Sequence, residues 1–178
     1  MNKAILFIFL ISLFSSNSEQ SISVENKVFI IGSNSHFDNY KPCDFFFECD
    51  CCFGEIVFLT DSKFIYVDYC TSDYSLFGGT YSVNTENVIL KFTNQKVEID
   101  YNWDYELDKT VQQYFVNDTI FHQPDLNFNY DKCGENQMLV FSDKNFTWIA
   151  KESVKKPNEV FDKFKAIGQL GQLEKFMK

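Results

Sequence analysis

The sequence predicts an all-β chain, an antiparallel meander of about eight short strands closing into a barrel, with an amphipathic helix at the C-terminal end. Three observations carry that expectation. Apolar and polar residues alternate with period two in "KVEIDYNWDY", where Val97, Ile99, Tyr101 and Trp103 interleave with Glu98, Asp100, Asn102 and Asp104. Short apolar runs recur along the middle of the chain, separated by turn chemistry such as "DSK", "NTEN", "TNQ" and "SDKN". After Pro157 the period changes to helical, with Val160, Phe164, Ile167 and Leu170 on one side.

The first element is not part of the fold. Lys3 followed by the unbroken apolar run Ala4 to Phe14, with small residues at Ser16 and Ser18, has the form of a signal peptide cut after Ser18. The run is shorter than the roughly 20 apolar residues a spanning helix needs, so stable membrane insertion is not expected after cleavage. Residues 19–156 then form one β-barrel domain and 157–178 a C-terminal helix packed on it.

Lys27 to Ile31 reads as the first strand. Glu55 to Thr60 and Phe64 to Cys70 read as a hairpin across "DSK", with Thr60 opposite Phe64. That register sets Val57 against Val67 and Leu59 against Ile65 on one side, and Phe58 against Tyr66 on the other. Both faces are then apolar, so the second face needs a cover, and the C-terminal helix is the candidate. "GGTYSV" enters a strand through Gly78 and Gly79 and turns at "NTEN" into "VILKF". A second hairpin across "TNQ" carries the chain through Trp103. Val111 to Val116, Thr119 to Phe121, "QMLVF" and "FTWIA" complete the strands. In the last segment Pro157 and Asn158 mark a helix start, and Gly168 and Gly171 weaken the helix unless they permit close packing.

Composition excludes several function classes. The formal charge is −9, and cleavage after Ser18 removes one further positive charge, which argues against nucleic acid as a partner. All 16 basic residues are Lys, so the guanidinium fork that grips phosphate and carboxylate is absent. His36 and His122 are isolated, and no nucleophile elbow, phosphate loop or dinucleotide fingerprint occurs. No cofactor is implied. Asn117 in "NDT" and Asn145 in "NFT" are glycosylation acceptors if the source is eukaryotic.

Six cysteines, Cys43, Cys49, Cys51, Cys52, Cys70 and Cys133, are an even number in an exported chain, and disulfides are the default. The hairpin register brings Cys70 within one or two residues of Cys52, making Cys52–Cys70 the best pair. Cys51 is the substitute if the strand bulges after Gly54. The cluster "ECDCC" supports a metal alternative in which Cys49, Cys51 and Cys52 supply soft thiolates. A redox role is opposed by Glu48 and Asp50, whose charges disfavour a thiolate.

The stretch "PCDFFFECDCCFGEIVFLTDSKFIYVDYC" followed by "FGGTYSVNTENVILKF" resembles the lipocalin-like small barrels of bacterial envelopes. In these a hairpin around D-x-x-F leads to a G-T-Y strand and then to an I-x-L strand. Within that set it is similar to the copper-homeostasis and surface-sensing outer-membrane lipoproteins, whose barrel carries a Cys pair just before a Gly and the first long strand. Here Cys49, Cys51 and Cys52 precede Gly54. The spacing is C-x-C-C instead of C-x-x-C, with no lipid-anchor Cys and no Gly-x-Trp signature. The resemblance implies the barrel fold and, through the Cys cluster, an envelope metal-binding or stress-sensing role as an alternative.

The function these readings support is a secreted, non-enzymatic binding protein, extracellular, or periplasmic in a bacterium. It would take a small apolar ligand or an extracellular protein partner at the barrel mouth, with Tyr81, Tyr101, Trp103 and Trp148 as ligand-binding candidates. A weak hydrolase is the enzymatic alternative; Asp38, Asp44, Glu48 and Asp50 supply carboxylates, but an acidic chain always shows such clusters and they define no catalytic pair.

Overall fold

A computed structural model describes residues 22–34, 53–70, 73–101, 114–143 and 147–178, apart from the side chains of 33, 34 and 101. Nine strands and two helices follow in order. The strands are β1 (Val28–Asn34), β2 (Phe53–Phe58), β3 (Lys63–Cys70), β4 (Asp73–Val83), β5 (Asn87–Tyr101), β6 (Tyr114–Ile120), β7 (Leu126–Cys133), β8 (Asn136–Ser142) and β9 (Thr147–Glu152). The helices are α1 (Pro157–Ala166) and α2 (Leu170–Glu174). The sheet order β4-β3-β2-β1-β9-β8-β7-β5-β6 closes on itself through β4–β5, and every pairing is antiparallel.

The wall has eight members because β6 and β7 share one edge of β5. β6 pairs with Gln95 to Tyr101 and β7 with Asn87 to Leu90. Between them, residues 121–125 face 91–94, one residue too many for a regular ladder. Pro124, which lacks an N–H, lies inside this interruption. The expected meander barrel is therefore the observed fold. β7 is a strand the run-and-turn pattern does not predict, although Leu126, Phe128 and Tyr130 alternate cleanly with Asn127, Asn129 and Asp131.

Two expected local structures are corrected. The "TNQ" segment does not turn, and β5 runs through it without a break. Gly79 lies opposite Phe92 and Phe77 opposite Lys96, so Gly78 alone faces Thr93 to Gln95 in a bulge, and the Thr93 hydroxyl donates to the Gly78 carbonyl at 3.1 Å. Polar residues that resemble a turn are here the extra residues of a long bent strand.

The β2–β3 hairpin is also tighter than expected. Asp61 and Ser62 both adopt positive φ, 57° and 58°, making a two-residue turn of the type that matches strand twist. Phe58 therefore faces Phe64, Val57 faces Ile65 and Ile56 faces Tyr66. The slip is by an even number of residues, so no side chain changes face.

Inside the barrel, Phe29, Ile31, Ile56, Phe58, Phe64, Val88, Leu90, Phe128, Leu139 and Ala150 form one buried cluster. On the outside, Val57, Ile65, Val67, Leu76, Val97 and Ile99 pack with Val160, Phe164, Leu173 and Phe176 in a second. The second apolar face of the β2–β3 hairpin is thus covered by the C-terminal helices. α1 begins with Pro157 after Lys156, not with an Asn158 cap, and Glu159 accepts the Lys156 N–H at 2.8 Å. Gly168, at φ 71°, ends α1: its N–H reaches the Lys165 carbonyl at 3.0 Å and that of Gln169 reaches Phe164 at 2.7 Å. The chain then resumes as the short α2, which seats Phe176 over Gly78, where an added Cβ would meet the ring at 2.5 Å.

Candidate functional site

The two ends of the barrel differ. At one end the tight turns at 59–62, 84–86 and 134–135 close the wall, and Ile22 and Val24 plug the interior against Phe29, Phe58 and Tyr81. The Tyr81 hydroxyl donates to the Leu59 carbonyl at 3.0 Å, fixing its ring edge-on to Phe58. At the opposite end, which we call the mouth, lie Asn34, Phe53, Cys70, Asp73, Tyr101, Tyr114, Ser142 and Thr147, the other ends of the strands; residues 35–52, 71–72, 102–113 and 144–146 lie outside the described residues.

Below the mouth lies a cavity of about 90 Å³, lined by Ile31, Ile56, Tyr66, Leu90, Phe92, Gln123, Leu126 and Trp148. Its lining side chains are apolar apart from the phenol of Tyr66, the carboxamide of Gln123 and the indole N–H of Trp148. Tyr66 reaches this position because Gly54 lies beneath it, where an added Cβ would come within 2.5 Å of the ring. Gln123 enters from the interruption between β6 and β7, so the irregular edge supplies a polar group that a regular strand would not place there.

Above the cavity, strand register builds two rows across β3, β4, β5 and β6. Tyr66, Phe77, Lys96 and Thr119 are successive partners in the lower row, and Asp68, Ser75, Glu98 and Asn117 in the upper. Alternation directs both rows to the inner side, continuing the face of Phe64. Lys96 bonds Glu98 at 2.5 Å, and its ammonium lies 5.7 Å from the Phe77 ring centre and 5.6 Å from that of Phe121. Burial raises the Asp68 carboxyl above the usual carboxylate range, against the opposing pull of Lys96 and the Tyr69 N–H. Burial and then the charge of Asp68 push the Tyr66 phenol up.

The sequence candidates distribute unevenly over this site. Trp148 lines the cavity, while Tyr81 belongs to the plug at the far end. Val97 and Ile99 lie outside, beneath the helices, and do not face inward as the alternation suggests. The Tyr101 side chain and all of Trp103 lie outside the described residues, as do Cys43, Cys49, Cys51, Cys52 and Asn145. Neither Cys70 nor Cys133 is a free thiol. Among the described residues no group of three metal-ligating side chains occurs, and no helix is long and apolar enough to cross a membrane. Asn117 is exposed on β6.

Asp68, Lys96, Glu98, Tyr66 and Gln123 were not among the candidates. One signal marks the first of them: Asp68 is the only acid in the strand "KFIYVDYC".

No family model and no curated protein matches the chain. Among solved structures it is similar to a streptavidin-like protein from Bacteroides eggerthii, at 9% identity and a TM-score of 0.55, covering 84% of this chain and 93% of that one. That likeness shows a small closed antiparallel barrel. The narrower lipocalin-like kinship is not carried by it.

Proposed function

We propose that the protein is a non-enzymatic small-ligand-binding barrel, with the ligand's apolar part in the cavity beneath the mouth. The cavity between Trp148, Leu90, Leu126 and Tyr66 carries this reading: an apolar pit with few polar groups, on the side of the barrel away from the Ile22 and Val24 plug. The streptavidin-like neighbour supports it at the level of fold. We infer export from Lys3 and the Ala4 to Phe14 run, and the mature mass tests it by placing the new N-terminus at Glu19.

Trp148 supplies the assay. Titration with 1-hexanol is expected to change the indole emission saturably, and Leu126→Phe, which narrows the cavity, is expected to weaken that binding about tenfold, the effect of roughly 1.4 kcal/mol. A variant that binds as well as the parent would remove the cavity from the reading.

A protein partner is favoured by a different observation. On the outer side of β6, Val116 is 39% and Ile120 93% exposed. The metal-binding alternative rests on Cys49, Cys51 and Cys52, and metal analysis of the exported protein decides it.

A further inference from the structure

We propose that the mouth selects a primary alkylammonium ligand, its short tail in the cavity and its charged head in the row formed by Asp68, Ser75, Glu98 and Asn117. This rests on the small-ligand reading above and names the chemistry of the head.

The layering follows from register. Asp68 pairs with Ser75, Ser75 with Glu98 and Glu98 with Asn117, so four neighbouring strands present polar side chains at one level. Two residues further down each of β3, β4 and β5 come Tyr66, Phe77 and Lys96, and then the cavity wall. Two residues of strand span about 6.6 Å, so a chain of a few methylenes bridges the polar row and the apolar pit.

The charge of the row decides the sign of the ligand. It holds two carboxylates, Asp68 and Glu98, and Lys96 is already engaged with Glu98 at 2.5 Å. That leaves Asp68 half-buried without an ion pair of its own at bonding distance among the described residues. An anionic head would meet two like charges, whereas an ammonium would meet carboxylate, hydroxyl and carboxamide acceptors. The net charge of −9 draws cations toward the protein as well.

The wall also shows that it accommodates an ammonium. Lys96 holds its own between the Phe77 and Phe121 rings, and Phe77 stacks on Tyr66 and meets Phe92 edge-on. The tail is limited by volume. An engineered cavity of about 150 Å³ admits benzene, and one of about 90 Å³ suits a narrower alkyl chain.

The test compares n-hexylammonium, 1-hexanol and hexanoate on the full chain at neutral pH, read by tryptophan emission and calorimetry. Hexylammonium is expected to bind about tenfold tighter than hexanol, and hexanoate more weakly than hexanol. Asp68→Asn is expected to abolish the advantage of hexylammonium over hexanol, its fold checked by circular dichroism. Hexanoate binding as tightly as hexylammonium, or an undiminished ammonium advantage in Asp68→Asn, overturns the inference and leaves the cavity reading intact. Failure of all three probes overturns both.

Discussion

Lys155 places its ammonium 2.5 Å from a carboxylate oxygen of Glu55, a residue only 3% exposed beneath the C-terminal helix. The Tyr69 hydroxyl donates to the other oxygen, and the ammonium of Lys163 on α1 sits 3.9 Å from the Tyr69 ring centre. Burial, and then the Glu55 charge, push the Tyr69 phenol up, while burial lowers Lys163 against the pull of Glu55. A carboxylate thus lies inside the apolar interface between sheet and helix, and its partners come from β3 and from the approach to α1.

Removing one side of this arrangement is expected to cost more than removing the other. Glu55→Ala strands Tyr69 in the interface and should destabilise the fold by about 3 kcal/mol. Lys155, half-exposed, should cost about 1 kcal/mol as Lys155→Ala. Urea unfolding measures both, and equal effects would show that the cluster is not held as described.

The glycines separate in the same assay. A Cβ on Gly79 would lie 2.0 Å from the Lys91 carbonyl oxygen, so Gly79→Ala forces the β4–β5 backbones apart and should cost at least about 3 kcal/mol. Gly171 in α2 has nothing within 4 Å of the added atom, and Gly171→Ala should stabilise by about 0.5–1 kcal/mol. A tolerated Gly79→Ala would contradict the strand pairing there.

Local patterns expressed much of this fold and little of its site. The two apolar faces of the β2–β3 hairpin announced a covered sheet, because alternation fails only when both sides are buried. The period change after Pro157 marked what covers it. The same alternation could not tell inside from outside at Val97 and Ile99, since an outer face beneath a helix is as apolar as a barrel interior. "TNQ" was opaque for a related reason: a bulge and a turn use the same residues, and only the partner strand distinguishes them. The row of Asp68, Ser75, Glu98 and Asn117 comes from four strands, so no local window contains it.

Asp68 should leave a signature in the pH dependence of stability. Burial holds its carboxyl above the unfolded value of about 3.9, so the native state binds the proton more tightly. Its contribution favours the fold at low pH and is lost as pH rises from the unfolded value through the folded one. Around it are Lys96, which opposes the shift, and Glu98 and the Tyr66 phenol on the same inner face. Asp68→Asn should therefore stabilise the ligand-free protein at neutral pH and flatten its melting temperature across that window. A variant that melts lower at pH 7 would mean that Lys96 outweighs burial.

The strand ends constrain the cysteines. Cys70 closes β3 at the mouth, whereas Cys133 closes β7 beside the turn at the plugged end. A strand of this length spans about 23 Å at roughly 3.3 Å per residue, far beyond the roughly 4.4–6.8 Å between Cα atoms that a disulfide allows. Cys70 and Cys133 should therefore belong to different bridges. The described ladder ends with Phe53 opposite Tyr69, and the same register continued by one residue would set position 52 opposite Cys70, as the expected Cys52–Cys70 bridge requires. Fragmentation of non-reduced peptides should join Cys70 to Cys52, and Cys70→Ser should cost about 3 kcal/mol for a loop of this size. A Cys70–Cys133 peptide would sink the assignment, and with it the placement of β3 and β7 at opposite ends.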